Sequence, residues 1–220
     1  MDSYVPSFNK INPDHKKMYV VKNFVKSFTL AGLCMVIPFV LKNIFTGEFD
    51  IYFFKRCAMY YIINDVMGLL MVRKLPRTTI IHHTTTTLCG LMTQFKQNSD
   101  MDIITLIIIY ATFSSTAFIV NFYLGYRIFS DNLKRKHVLS ILSFWIYFVS
   151  CIINWFIQVY LAIQLFSISF PQFSLYMAFF ISVARDDVIL MKWLYDDHIK
   201  FKHDFLHNSV ADTTCDNKES

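Results

Sequence analysis

Long apolar runs separated by short polar clusters make up most of the chain. They fall at Ser27 to Phe45, Ile51 to Val72, Thr78 to Phe95, Ile103 to Phe129, Val138 to Phe166 and Gln172 to Tyr195. Each approaches or exceeds the roughly 20 residues that carry a helix across a hydrocarbon core. In that solvent every backbone N–H and C=O has to be paired internally, which leaves helices or closed barrels. The residue-by-residue alternation of a barrel strand is missing, so the pattern predicts an all-α polytopic membrane protein. About six transmembrane helices are expected, in a bundle or barrel around a cytosol-facing cavity. The fourth and fifth runs are longer than a bilayer needs, which predicts tilt or extension beyond it. Breaker signals separate the runs at Thr46-Gly47, Leu75-Pro76, Gln97-Asn98-Ser99-Asp100 and Phe170-Pro171. A polar segment, 1–26, precedes the spans, and a polar tail, 196–220, follows them and is expected to be disordered past Leu206.

Composition agrees with this solvent. Hydrophobic residues make up 55% of the chain, with only 5 Gly and 5 Pro among 220 residues. The net charge of +5 is unevenly placed. Lys10, Lys16, Lys17, Lys22 and Lys26 precede the first span, Arg73, Lys74 and Arg77 follow the second, Arg127, Lys134, Arg135 and Lys136 border the fourth loop, and Lys192, Lys200, Lys202 and Lys218 close the chain. The intervening loops hold only Lys42, Lys55, Arg56 and Lys96. The positive-inside rule therefore predicts both termini in the cytosol. It also accounts for the basic excess without nucleic acid, since no basic domain stands apart. The stretch before Ser27 is too long and polar for a cleaved secretory leader, so the first span is expected to be retained. Five scattered cysteines suggest neither a disulfide framework nor a metal site. His198, His203 and His207 lie in a tail with no rigid frame for a metal, and none is expected.

Chemistry enters with the ionisable residues inside the spans. Asp65 lies about 10 Å from the basic end of the second span, and His82 and His83 lie about 6 to 8 Å inside the third. The short connection between these spans makes them antiparallel neighbours, so a carboxylate-to-imidazole contact is within reach. Asn121 falls at a similar depth, and Arg185, Asp186 and Asp187 lie roughly 12 to 15 Å from the end of the sixth span. Such groups are costly in lipid and are expected to face a shared cavity. Consecutive helical residues point about 100° apart, so one histidine is expected to face the cavity and the other a neighbouring helix. Held by Asp65, a neutral imidazole becomes a base of fixed tautomer, suited to taking a proton from an attacking amine or hydroxyl, or it takes the acyl group itself. Acyl transfer between lipid-soluble partners is the reaction class this implies. The structural alternatives are interhelical hydrogen bonding by the histidines, Asp65 locking its helix to Arg185 or a histidine, Asn121 as helix glue, and Thr84 to Thr87 bonding back to carbonyls one turn earlier.

Three stretches carry a family resemblance. Tyr61-Ile62-Ile63-Asn64-Asp65, then Arg73-Lys74-Leu75-Pro76, then Ile81-His82-His83-Thr84-Thr85-Thr86 resemble the TLC domain family, which includes ceramide synthases and less understood lipid-regulating membrane proteins. Ser115-Thr116-Ala117-Phe118 is similar to the Ser-Thr-Pro-Phe stretch of the non-ceramide-synthase members. The resemblance runs from about the first span to the sixth. It implies a catalytic His82 and His83 supported by Asp65, lipids as partners, acyl-CoA as co-substrate with no resident cofactor, and an endoplasmic reticulum or other endomembrane location. Arg73, Lys74 and Arg77 would meet acyl-CoA phosphates, and Asn121, Arg185, Asp186 and Asp187 would contact substrate. Against a full ceramide synthase site, the fourth span carries no acid, and Phe113 stands where many members have glutamate. Asp186 or Asp187 is the expected substitute. Two function classes follow: a membrane-embedded N-acyltransferase, and a non-catalytic regulator that binds lipid in the same cavity.

Overall fold

The structure is a computed structural model of the whole chain, and it describes residues 8, 10–11, 14–48, 50–72, 75, 77–95 and 102–216. Arg73, Lys74, Pro76 and the polar connection at 97–100 lie outside the described residues. Among those described the protein is all-helical: α1 (Asp14–Cys34), α2 (Ile37–Thr46), α3 (Ile51–Met71), α4 (Arg77–Thr93), α5 (Ile103–Ser114), a 3-10 turn (Ser115–Ala117), α6 (Phe118–Phe129), α7 (Leu133–Ile168) and α8 (Phe170–Asp216).

Local chemistry explains where these helices start and stop. Asp50, Asp102 and Asn132 cap α3, α5 and α7 by accepting from the N–H groups of Phe53, Thr105 and Arg135. Gly47 closes α2 at φ 72°, a backbone conformation that suits a residue without a Cβ. The first apolar run is not one straight rod. Pro38 has no N–H for the Cys34 carbonyl and its ring crowds that carbonyl, so α1 ends at Cys34 and α2 resumes at an angle of 40°. The fourth run is broken by its own hydroxyls: Ser115 donates back to the Thr112 carbonyl at 2.6 Å and Thr116 to that of Phe113 at 2.9 Å, tightening the helix into the 3-10 turn. The tail expected to be irregular continues α8 to Asp216, because no Gly or Pro interrupts it after Tyr195.

The helices pack chiefly as α7 on α8, α1 on α6 and α3 on α4, with α5 inserted between α3, α4 and α7. Residue distribution is reversed relative to a water-soluble bundle. Phe28 (71% exposed), Leu70 (76%) and Phe156 (74%) face outward, while Asn23, Ser27, Asp65, Ser143 and Gln158 are buried. This arrangement fits a hydrocarbon solvent. By length and composition α5 with α6 (Ile103–Phe129) and α7 can cross a membrane, and α1 with Ile37–Asn43 can do so as a bent pair. Composition alone does not mark α3, α4 and α8, which carry Asp65, the histidines and the Arg185-Asp186-Asp187 cluster.

At the basic end of the bundle the rings of His137 (α7) and His198 (α8) stack with centroids 4.9 Å apart. Ser140 Oγ lies 3.4 Å from His198 Nδ1. Burial first, then the His137 ring and the Lys202 charge, lowers the His198 pKa below its ordinary value. A lowered value means that the unfolded chain takes up the proton first, so this stack supports the fold above the ordinary histidine range and loses that support as pH falls through it. The thermal midpoint in mild detergent is expected to drop between pH 7.5 and 5.5, with His198→Phe flattening the slope. An unchanged slope in the variant would remove His198 as the cause.

Candidate functional site

A cavity of about 660 Å³ lies between α1, α3, α4, α5, α6 and α8. One face of α1 forms a wall of it: His15, Tyr19, Lys22, Lys26 and Leu30 recur at helical spacing and all line the space. Gly90 lets α4 approach α3 so closely that a Cβ there would overlap Ile62 Cγ2. That approach brings Asp65 and His83 together.

Asp65 is the hub, and it is fully buried. The Lys26 ammonium lies 2.5 Å from its Oδ1, His83 Nδ1 lies 2.9 Å from the same oxygen, and Thr86 donates to Oδ2 at 2.6 Å. Lys26 and Asp65 cancel as a pair, which leaves the imidazole neutral with its proton favoured on Nδ1, facing the carboxylate. The imidazole contact is off the hydrogen-bond line and is electrostatic in character. It leaves the lone pair on Nε2, above Gly68.

His82 reaches a different acid. Its Nδ1 lies 3.3 Å from Asp186 Oδ2 on α8, and its ring stands 5.7 Å from that of His83 at 69°. Both histidines line the cavity, in place of the expected split between cavity and neighbouring helix. The 100° step between them is accommodated because the cavity wraps around α4, with α3 on one side and α8 on the other. Asp187 accepts from Tyr110 at 2.6 Å, Tyr147 at 2.7 Å and Trp155 at 3.4 Å. It is a buried carboxylate held by three neutral donors.

The remaining sequence-derived candidates divide. Asn121 lines the cavity, but its amide donates to the Ala117 carbonyl of its own helix at 2.9 Å. Arg185 is exposed, since one helical step from Asp186 turns it outward, and it pairs with neither Asp65 nor the cavity. Arg77 is likewise exposed and off the cavity wall. Asp65 itself does not line the cavity and reaches it through Lys26, His83 and Thr86. Lys22, Lys26, Tyr110 and Tyr147 also line the cavity, and sequence reasoning missed them. The signal was present for the lysines: Lys22, Asn23, Lys26 and Ser27 repeat at i, i+1, i+4 and i+5, one polar stripe running into an apolar helix. Counted toward topology, they pass for solvent-facing charges. At the mouth, Arg127 stacks 4.5 Å over the Trp193 ring and lies 3.3 Å from Asp197, which also accepts from Tyr123.

Asp65, His82 and His83 place one ligand atom each within 4.8 Å of one another, a spacing that could gather a metal ion. The Lys26 ammonium already occupies the cationic position against Asp65, and a divalent ion there would meet its repulsion. The cluster is therefore an ion-paired network that holds two imidazoles on one cavity. Compared with protein families, curated proteins and solved structures, the chain gives no match.

Proposed function

We propose that this is a six-span membrane protein of the TLC type, with both termini cytosolic, that acts in lipid metabolism of an endomembrane by transferring an acyl group from acyl-CoA to a lipid amine. One observation supports this reading above the others: two imidazoles, each against its own carboxylate, open on one cavity. In the proposed step the amine nitrogen attacks the thioester carbonyl while His83 Nε2 takes the amine proton. Collapse of the tetrahedral intermediate forms the amide and breaks the C–S bond, and the imidazolium returns the proton to the CoA thiolate. Asp65 orients His83, and Asp186 does the same for His82, in the place of the acids missing from α5.

A specific contact favours the second reading, a non-catalytic lipid-binding regulator. Lys26 already satisfies Asp65, and such a pair can serve as a helix lock alone. Lipid profiles of cells expressing wild type, His82→Ala with His83→Ala, and Asp186→Ala with Asp187→Ala separate the two. Acyl transfer predicts amide-lipid changes that vanish in the histidine variant at equal protein level and weaken in the aspartate variant. Equal changes from wild type and the histidine variant exclude catalysis by the pair.

A further inference from the structure

Two buried lysines face one buried carboxylate. Asp65 is engaged by Lys26, whereas Lys22, one turn earlier on the same face of α1, makes no ion pair and no hydrogen bond among the described residues. Lys22 is only 9% exposed, and its side chain lines the cavity. Its charge lies in the field of Asp65 and of the repelling Lys26, and its N–H donors are left for the cavity, where a ligand oxygen could take them.

Gly68 shows how Lys22 is placed beside His83. A Cβ at this position would meet Lys22 Cε at 2.9 Å, Lys22 Nζ at 3.3 Å and His83 Nε2 at 3.8 Å. The glycine therefore admits the Lys22 stem against α3 and sets its ammonium on the same side of the cavity wall as His83 Nε2. A cation beside a base suits an atom group that gains negative charge on oxygen while losing a proton nearby. Deeper in the cavity the walls turn apolar at Leu30, Ile107, Phe179 and Val183, as a hydrocarbon chain requires.

We propose that Lys22, over Gly68 and beside His83, is the oxyanion-binding group of this cavity, holding the carbonyl oxygen of a long-chain acyl ligand whose chain runs toward Ile107 and Phe179. This rests on the acyl-transfer reading and adds to it: the carbonyl π electrons move to oxygen as the amine attacks, and Lys22 carries the charge that results. Acidic residues on the opposite wall, Asp186 and Asp187, are engaged by His82 and by Tyr110, Tyr147 and Trp155, so they do not compete for the ammonium.

Binding of dodecylphosphonate, a tetrahedral anion on an apolar chain, tests the subsite without turnover. Purified full-length protein in detergent is expected to bind it at least about tenfold more tightly than dodecanol. Lys22→Gln and Gly68→Val should each abolish that preference, and Lys22→Arg should retain most of it. Lys22→Gln should also melt no lower than wild type, because no ion pair or hydrogen bond among the described residues is lost with it and the repulsion from Lys26 is relieved. A Lys22→Gln protein that keeps the preference, or that melts several degrees lower, overturns the assignment. Where acyl transfer is measurable, Lys22→Gln should lower kcat about 100-fold or more with KM little changed. Phosphonate binding that depends on Lys22 in a protein with no turnover would support the subsite and sink the acyl-transfer reading.

Discussion

Replacing Asp65 with alanine is expected to destabilise the protein by about 3 to 5 kcal/mol, the largest stability loss of any single substitution around the cavity. The loss is not the value of one ion pair. Removing the carboxylate strands the Lys26 ammonium, which is 7% exposed, and takes away the contacts that orient His83 and Thr86. In such a site the largest cost is taking the charge out of water, and Asp65 is the carboxylate that compensates it, with the Tyr61 ring 5.9 Å from the ammonium adding little. The double variant Lys26→Met with Asp65→Leu should therefore recover much of the stability lost by Asp65→Ala, since a packed apolar pair avoids the desolvation of both charges. It should not recover the site, because His83 would have no carboxylate to orient it. Thermal midpoints in detergent for Lys26→Met, Asp65→Leu and the double variant measure the coupling. Additive losses would mean that Lys26 and Asp65 are independent and that Asp65 is no hub.

Gly90→Ala should destabilise as well, against the sign of helix propensity. In an unencumbered helix the change gains about 1 kcal/mol. Here the added Cβ overlaps Ile62 Cγ2 and approaches Ile62 Cδ1 at 3.2 Å, so α3 and α4 must separate. Overpacking of this kind costs about 1 to 3 kcal/mol, enough to reverse the propensity gain. The register of Asp65 against His83 depends on the same approach, so function should fall with stability. Gly90→Leu should be worse, and Ile62→Ala should rescue Gly90→Ala by vacating the volume. A Gly90→Ala protein with a raised midpoint would show that the two helices are not held at this spacing.

Apolar run lengths locate the helices because the bilayer selects for length and backbone pairing, both of which are local properties. The stops at Pro38 and Gly47 are equally local. The position of His82, His83, Asp65, Asp186 and Asp187 inside apolar runs is readable for the same reason, as a polar residue in such a run is conspicuous. Lys22 and Lys26 are not readable in this way, because flanking lysines serve as topology signals far more often than as interior charges. Beyond Tyr195 two local signals conflict: polarity argues for disorder, while the lack of Gly and Pro leaves the helix free to continue, and the second prevails.

By itself the sequence determined an all-helical chain with apolar rods, polar residues at a common depth and a basic excess at alternate ends. These follow from hydropathy and periodicity, which each residue and its near neighbours specify. The tertiary structure alone decided which carboxylate each histidine meets, that Arg185 turns outward, and that two lysines of α1 close on α3 and α4. Those outcomes depend on the rotation and spacing of helices distant in sequence, set by contacts such as Gly90 on Ile62 and Ser27 on the Phe118 carbonyl at 2.8 Å. A rotation of one helix by a single residue step, about 100°, would exchange every one of those partners.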